Sequence, residues 1–149
     1  MSDNFRILQR QVHSTMQAAQ ILKTSEEQSI DWIKLAREGV SKQFMQEVQD
    51  RMQLSQKELA NLLHLTPRTI QRMKEGDLLP PAASGHLLEL ARLYRRAIEV
   101  LDNEEVANQW LRTSVTALGG VTPVSLLDTP VGIQWVMTTL GRIEHSVYS

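Results

Sequence analysis

Amide, hydroxyl and guanidinium side chains gathered between residues 56 and 74 could bind DNA. Arginine can donate two hydrogen bonds to the O6 and N7 atoms of guanine, and glutamine can pair with adenine in a similar way. Threonine and lysine suit phosphate oxygens, and phosphate contacts fix the register of a protein on the duplex. These chemistries single out seven candidate DNA-binding residues: Gln56, Thr66, Arg68, Thr69, Gln71, Arg72 and Lys74.

The charge of the chain is nearly balanced, but its distribution is uneven. The 16 basic and 17 acidic residues give a formal net charge of −1. Between residues 66 and 96, six basic residues stand against three acidic ones. A basic stripe favours contact with phosphates, although a charged helix face that is only solvated is the common alternative. From residue 117 onward only Asp128, Arg142 and Glu144 are charged, so the last third could be buried against a partner protein.

Residues for catalysis or metal binding are not grouped in this sequence. The chain has no cysteine, which excludes thiolate zinc sites and cysteine nucleophiles. Its histidines, His13, His64, His86 and His145, do not have the i, i+4 spacing of a helical metal site. A Gly-rich phosphate loop, a nucleophile–base pair and paired carboxylates are also missing. We therefore predict no enzymatic activity, no cofactor and no metal site.

Two short helices are needed to hold the candidate DNA-binding residues. Counted from Gln56, apolar or small residues occupy the positions at which two steeply crossing helices touch: Leu59, Ala60, Leu63, Leu65, Ile70 and Met73. The pattern predicts a helix-turn-helix whose second helix, ended by Gly76, exposes Arg68, Thr69, Gln71, Arg72 and Lys74. His64 stands where repressors of the phage lambda type usually have glycine. Histidine tolerates the left-handed backbone better than most residues do, so the turn can still form.

The whole chain is predicted to be all-α, because apolar residues recur at helical spacing and strand-like alternation is nearly absent. Capping and breaking residues predict helices near 5–16, from Ser25 to Gly39, after Ser41, over 56–64, 83–101 and 103–112, at 122–123, and from Thr129 to about Glu144. Trp32, Trp110 and Trp135 lie on apolar helix faces and are predicted to be core. No apolar run is long enough to span a membrane, and no signal peptide is visible, so we expect a cytoplasmic protein.

Two segments near the C-terminus have an unusual pattern. They are 117–129, with a Gly-Gly turn followed by Thr-Pro and Leu-Leu-Asp-Thr, and 140–148, with Leu-Gly-Arg-Ile-Glu followed by Val-Tyr. Together they resemble the Xre/MbcA/ParS family of toxin–antitoxin antitoxins. The matching residues are Leu118, Gly119, Gly120, Thr122, Pro123, Leu126, Leu127, Asp128, Thr129, Gly132, Val136, Leu140, Gly141, Arg142, Ile143, Glu144, Val147 and Tyr148. With weaker pieces upstream, the resemblance runs from about residue 54 to residue 149.

This resemblance implies a two-part protein. An Xre/Cro-like helix-turn-helix DNA-binding domain (51–102) would be followed by a small helical toxin-binding domain (103–149), with N-terminal helices of unknown role (1–50) packed on the DNA-binding domain. The implied partners are operator DNA and a RES-domain toxin that consumes NAD⁺, whose active site the antitoxin covers. The implied toxin-binding residues are Leu140, Arg142, Ile143, Glu144, His145, Val147 and Tyr148.

Two other functions remain open on the sequence alone. The chain could be a helix-turn-helix regulator whose C-terminal domain only dimerises or senses a ligand, or a protein-interaction module without DNA binding. Arg142 likewise has two interpretations, as a contact in the toxin cleft or as an arginine at a helix C-terminus, where the dipole favours it. A homodimer, assembled further with the toxin, is expected because two-fold operators are bound by two-fold proteins.

Overall fold

The computed structural model describes residues 29–148, and all regular elements in that range are helical. The α-helices are α1 (Ser29–Glu38), α2 (Lys42–Arg51), α3 (Gln56–Leu63), α4 (Pro67–Arg72), α5 (Pro81–Leu101), α6 (Glu104–Leu111) and α7 (Pro130–Tyr148), and two 3₁₀ helices (Thr116–Leu118 and Pro123–Leu126) lie between α6 and α7. Between residues 29 and 148, extended pairing is limited to isolated bridges at Ser41–Leu78 and Val115–Val121. The predicted all-α class is confirmed. The predicted helix near 5–16 and the Ser25 cap lie outside the described residues.

The starts of α2, α3 and α4 are fixed by side-chain caps that the sequence predicts. Ser41 Oγ accepts the Phe44 N–H at 3.2 Å. Ser55 Oγ accepts the Glu58 N–H at 3.0 Å, while the Glu58 carboxylate accepts the Ser55 N–H at 3.1 Å, which completes a capping box. Thr66 caps α4, with proline at its first position. Each cap satisfies backbone donors that would otherwise lack partners at a helix start.

A backbone contact joins the α1–α2 turn to the segment before α5. The Leu79 N–H donates to the Val40 carbonyl at 2.8 Å. The buried Ser84 hydroxyl accepts from the Val40 N–H at 2.9 Å and donates to the Leu79 carbonyl at 3.0 Å. Gly39 has φ +101°, and a Cβ there would lie 2.6 Å from the Leu79 carbonyl oxygen. Glycine is therefore required where these two segments meet.

The described chain divides into two compact units, one up to Leu88 and one from Glu89. The division falls inside α5, which begins at Pro81 rather than near residue 83. The first unit buries apolar side chains of α1 to α4, among them Leu35, Phe44, Val48, Leu59 and Ile70. The domain bounds of 51–102 and 103–149 remain a prediction from the sequence.

The second unit is organised around α7, which packs on both 3₁₀ helices. Its buried side chains include Leu93, Leu111, Leu127, Val136 and Leu140. The short helix predicted at residues 122–123 is of the 3₁₀ type, and α7 continues to Tyr148, beyond the predicted end at Glu144.

Glycine and threonine set the start of α7. The Thr129 hydroxyl accepts the Gly132 N–H at 3.0 Å, as the predicted start at Thr129 requires. A Cβ on Gly132 would overlap the Leu126 carbonyl oxygen. The first turn of α7 can therefore approach the second 3₁₀ helix this closely only with glycine at position 132.

Candidate functional site

The helix-turn-helix predicted from the apolar pattern is formed by α3 and α4, which pack on each other. Leu59, Ala60, Leu63 and Ile70 are all at least 95% buried. Ala60, the small residue expected at the crossing, is 2% exposed, as the pattern requires.

His64 forms the turn in the left-handed conformation, with φ 56° and ψ 37°. The Leu65 N–H reaches back to the Ala60 carbonyl at 2.9 Å, which closes the C-terminal end of α3. The His64 ring lies edge-on to the His86 ring, with 6.1 Å between the ring centroids. Histidine thus occupies the backbone conformation that glycine usually supplies, as the sequence prediction requires.

The exposed face of α4 carries hydrogen-bonding groups in a small area. Arg68, Thr69, Gln71 and Arg72 are all exposed. Among residues 29–148, neither Arg68 nor Arg72 has a carboxylate partner, so both guanidinium groups can reach a ligand. An arginine in this position can fork onto a guanine edge.

Two hydrogen bonds connect other candidate DNA-binding residues on α3 and α4. Gln71 Nε2 donates to Gln56 Oε1 at 3.2 Å, which ties the start of α3 to the exposed face of α4. Thr66 Oγ1 accepts the Thr69 N–H at 3.1 Å, and the two threonine hydroxyls are 2.8 Å apart. The structure therefore brings six of the seven candidates to one surface, which we call the α4 surface: Gln56, Thr66, Arg68, Thr69, Gln71 and Arg72.

Lys74 is a correction, because it does not lie on α4. The helix ends at Arg72, and Met73 is extended at ψ 128°. The Lys74 N–H donates to Asp77 Oδ2 at 2.8 Å instead of to a helix carbonyl. An aspartate that binds a nearby backbone N–H competes with helix formation, so α4 stops before the predicted end at Gly76.

The candidate toxin-binding residues lie along the second half of α7, and their exposure differs. Arg142 and His145 are exposed, whereas Ile143 is half-buried. Leu140 is fully buried in the core of the second unit, so it offers no surface to a partner and supports α7 instead. The side chains of Val147 and Tyr148 lie outside the described part of the chain. Because α7 continues past Arg142 to Tyr148, the interpretation of Arg142 as a C-terminal arginine is wrong.

Glu144 is engaged within the second unit. Arg96 donates from Nη1 to Glu144 Oε2 and from Nη2 to Glu144 Oε1, both at 2.8 Å. This two-pronged hydrogen bond lowers the pKa of the Glu144 carboxyl and raises that of the Arg96 guanidinium. The pair joins α5 to the last part of α7 and neutralises the one carboxylate of that helix.

Trp135 is not in the core, contrary to the sequence prediction. Its side chain is 43% exposed, and Val131, one turn earlier, is 79% exposed. Trp32 and Trp110 are half-buried rather than fully buried. Residues at intervals of four and three lie on one helix face, so Val131, Trp135, Thr138 and Arg142 form an exposed line that we call the α7 ridge. Sequence periodicity missed it because both faces of α7 carry apolar residues.

Residues 29–148 contain neither a metal-binding cluster nor a membrane-spanning helix. That range contains no cluster of three or more His, Cys, Asp or Glu side chains placed to bind a metal. Its helices are either too short or too polar for a membrane span.

Comparisons with known families match both units. Residues 31–92 match the antitoxin Xre-like helix-turn-helix domain, and residues 96–145 match the antitoxin Xre/MbcA/ParS C-terminal toxin-binding domain. Most of the described chain is therefore covered by two domain families that occur in antitoxins.

Three curated proteins are similar in sequence. An antitoxin Xre of Photorhabdus laumondii is 36% identical over 44% of this chain and 45% of its own length. A Prs ADP-ribosylating antitoxin of a Sphingobium species is 26% identical over 80% of this chain and 82% of its own length. An antitoxin Xre of Yersinia enterocolitica is 28% identical over 62% of this chain and 64% of its own length. The chain thus spans about half to two thirds of the two Xre antitoxins that it matches.

Proposed function

Because the chain belongs to the Xre/MbcA/ParS antitoxin family, with its helix-turn-helix and toxin-binding domains, we propose that it neutralises a toxin encoded beside it and represses their shared promoter. The observation that carries the proposal is the match of residues 96–145 to a toxin-binding domain. Those residues lie within the compact second unit, whose last helix exposes a continuous face.

Repression is supported by the α4 surface. Its arginine, glutamine and threonine side chains have the chemistry to contact base edges and phosphates. The caps on α3 and α4 and the left-handed turn at His64 hold these side chains in place. We infer that α4 enters the major groove of operator DNA and that two copies of the chain bind a two-fold operator as a homodimer.

Neutralisation is attributed to the second half of α7, with Arg142, His145, Val147 and Tyr148 as contacts. We propose that the toxin is of the RES type and consumes NAD⁺, and that the antitoxin covers its active-site cleft. The relative from Sphingobium is named for ADP-ribosylation, which also uses NAD⁺. Cleavage of the bond between nicotinamide and ribose is common to NAD⁺ degradation and ADP-ribose transfer. We infer that the chain acts by binding and in the cytoplasm, where NAD⁺ and operator DNA are found.

The proposal is tested by expressing the neighbouring toxin gene with and without this chain. With the toxin alone, we expect growth to stop and cellular NAD⁺ to fall, and the full chain should restore both and co-purify with the toxin. Growth arrest at constant NAD⁺, with ADP-ribose attached to a target protein, would mean that the toxin transfers ADP-ribose instead of degrading NAD⁺.

Repression is measured separately with a reporter fused to the promoter of the chain's own operon. The full chain should lower reporter expression and retard the promoter duplex. If the full chain neutralises the toxin but does not lower reporter expression, it is a toxin-binding protein that does not regulate transcription. Repression without any toxin partner would leave a plain transcriptional regulator.

A further inference from the structure

The first half of the α7 ridge, formed by Val131 and Trp135, is an exposed apolar surface that the proposed toxin contacts do not include. Val131 and Trp135 occupy the first half of the helix, before the Leu-Gly-Arg-Ile-Glu segment that carries the family resemblance. Trp135 leaves 43% of its surface exposed and Val131 leaves 79%. The Trp135 carbonyl accepts a hydrogen bond from the hydroxyl of the buried Thr139 at 2.9 Å. The backbone at Trp135 is therefore held in place while its side chain faces outward.

The shape of the ridge decides what can cover it. From Val131 to Arg142 the ridge is about 16 Å long, on a helix about 10 Å wide. Its footprint is roughly 160 Å², whereas a stable interface buries about 800 Å² on each partner. The ridge alone is too small for a stable interface, so its partner must also cover surface beside it. The match of residues 96–145 to a toxin-binding domain favours a toxin as that partner. A concave partner can surround the helix and bury its flanks as well.

The charge of the ridge limits the partner further. The ridge carries the positive charge of Arg142 and no carboxylate. Glu144, on the same helix, is already engaged by Arg96. A groove that is apolar opposite Trp135 and carries a carboxylate near Arg142 is therefore complementary to the ridge, and a basic groove is not.

We infer that the α7 ridge fits into an apolar, acidic-edged groove of the toxin, with Trp135 as the main anchor. This rests on the proposed function, and it adds a contact surface in the first half of α7 to the contacts proposed for the second half. A large aromatic side chain at the centre of an interface is a frequent source of affinity.

The test compares full-length variants for binding to the purified toxin from the neighbouring gene. Trp135→Ala should weaken binding by about thirtyfold, as expected for a central aromatic anchor. Val131→Lys should also weaken it by about tenfold, because a charge would enter the apolar part of the groove. The matched control is Val106→Lys, since Val106 is likewise exposed, at 43%, but lies on α6 and not on the ridge. That variant should bind as the unchanged chain does.

A second measurement follows Trp135 directly in the unchanged chain, so it does not depend on how substitutions affect binding to the toxin. The full chain is labelled with 5-fluorotryptophan, and the resonance of Trp135 is assigned with Trp135→Phe. Addition of unlabelled toxin should shift the Trp135 resonance more than that of Trp110, which is half-buried on α6.

Each outcome has one meaning. If the unchanged chain does not bind the toxin, the proposed function and this inference both fail. If it binds but the ridge variants match Val106→Lys and the Trp135 resonance is unmoved, the inference fails and the proposed function stands. If Trp135→Ala instead lowers the molar mass of the toxin-free protein particle in solution, the ridge joins two copies of the chain and the inference is overturned.

Discussion

The α4 surface offers polar side chains to a partner, whereas the α7 ridge offers mainly apolar ones. The α4 surface presents guanidinium, amide and hydroxyl groups on a helix of six residues. The α7 ridge presents an indole ring and an aliphatic side chain on a helix of 19 residues. Base edges and phosphates are bound through hydrogen bonds and charge, whereas a protein groove is filled by apolar volume. The family match assigns two kinds of domain, and the two surfaces differ in the chemistry that each kind requires.

Salt should separate the two surfaces most strongly. When the ionic strength rises from about 50 to about 200 mM, affinity for the promoter duplex should fall by about a hundredfold or more, because phosphate contacts release counterions. Affinity for the toxin should change by less than about threefold, since apolar burial is not screened. Titrations of the full chain with each partner measure both. Equal salt dependence would contradict the assignment of two chemically distinct surfaces.

Gly132→Ala should destabilise the second unit by about 3 kcal/mol or more, because the new Cβ would overlap the Leu126 carbonyl and force the first turn of α7 away. The matched control is Gly141→Ala on the same helix, where a Cβ meets nothing within 4 Å. That variant should stabilise the chain by about 0.5 kcal/mol. Denaturant unfolding followed by circular dichroism gives both values. Toxin binding should suffer from Gly132→Ala more than DNA binding does.

Arg68→Ala and Arg72→Ala should each weaken binding to the promoter duplex by about 1–3 kcal/mol, because each removes a base or phosphate contact. Neither should change affinity for the toxin. Arg142→Ala provides the reciprocal control, since its guanidinium lies on the α7 ridge. Unchanged gel retardation by both α4 variants would show that α4 does not contact DNA.

His64→Gly and His64→Ala both remove the imidazole ring but differ in backbone freedom. The position has φ 56°, a conformation that costs an L-residue about 1 kcal/mol more than glycine. The glycine variant should therefore be more stable than the alanine variant by about that amount, and it should bind promoter DNA at least as well. Equal stabilities would mean that the turn relaxes away from the left-handed conformation.

Glu144→Gln should have the smallest effect, because both partners of the Arg96–Glu144 pair are about one third exposed. The folded-state pKa of Glu144 is lowered, so its stabilisation is complete above the unfolded pKa of about 4.3 and is lost as the pH falls through the folded value. The variant should be less stable than the unchanged chain at pH 7, and the difference should shrink in acid. Arg96→Gln, alone and combined with Glu144→Gln, completes a double-mutant cycle at each pH.

Sequence patterns predicted the structural features that depend on residues close together in the chain, such as helix starts. Ser41, Ser55 and Thr66 act on backbone groups three residues away, so their caps could be recognised from the sequence. Lys74 was misplaced because the competing hydrogen bond comes from Asp77. That local signal was available in the sequence but was outweighed by Gly76 as a helix stop.

The errors on α7 have a different origin. Trp135 and Leu140 are both apolar, but Trp135 faces outward and Leu140 is fully buried. Which face of α7 is covered depends on its packing against the two 3₁₀ helices. The first of these lies before the Gly119–Gly120 turn, and three residues separate the second from the start of α7. That choice is tertiary, and helical periodicity alone does not contain it.

In the proposed DNA complex, the early end of α4 would limit how much sequence information one copy of the chain extracts from DNA. Six helical residues extend about 9 Å, which is fewer than three base-pair steps of roughly 3.4 Å. A triplet recurs by chance about once in every 64 positions when four bases are distinguished at each. A genome of about 10⁶ base pairs or more therefore offers over about ten thousand equivalent triplets. The proposed selection of a single promoter would therefore need several such triplets at fixed spacing, each bound by a separate copy of the chain.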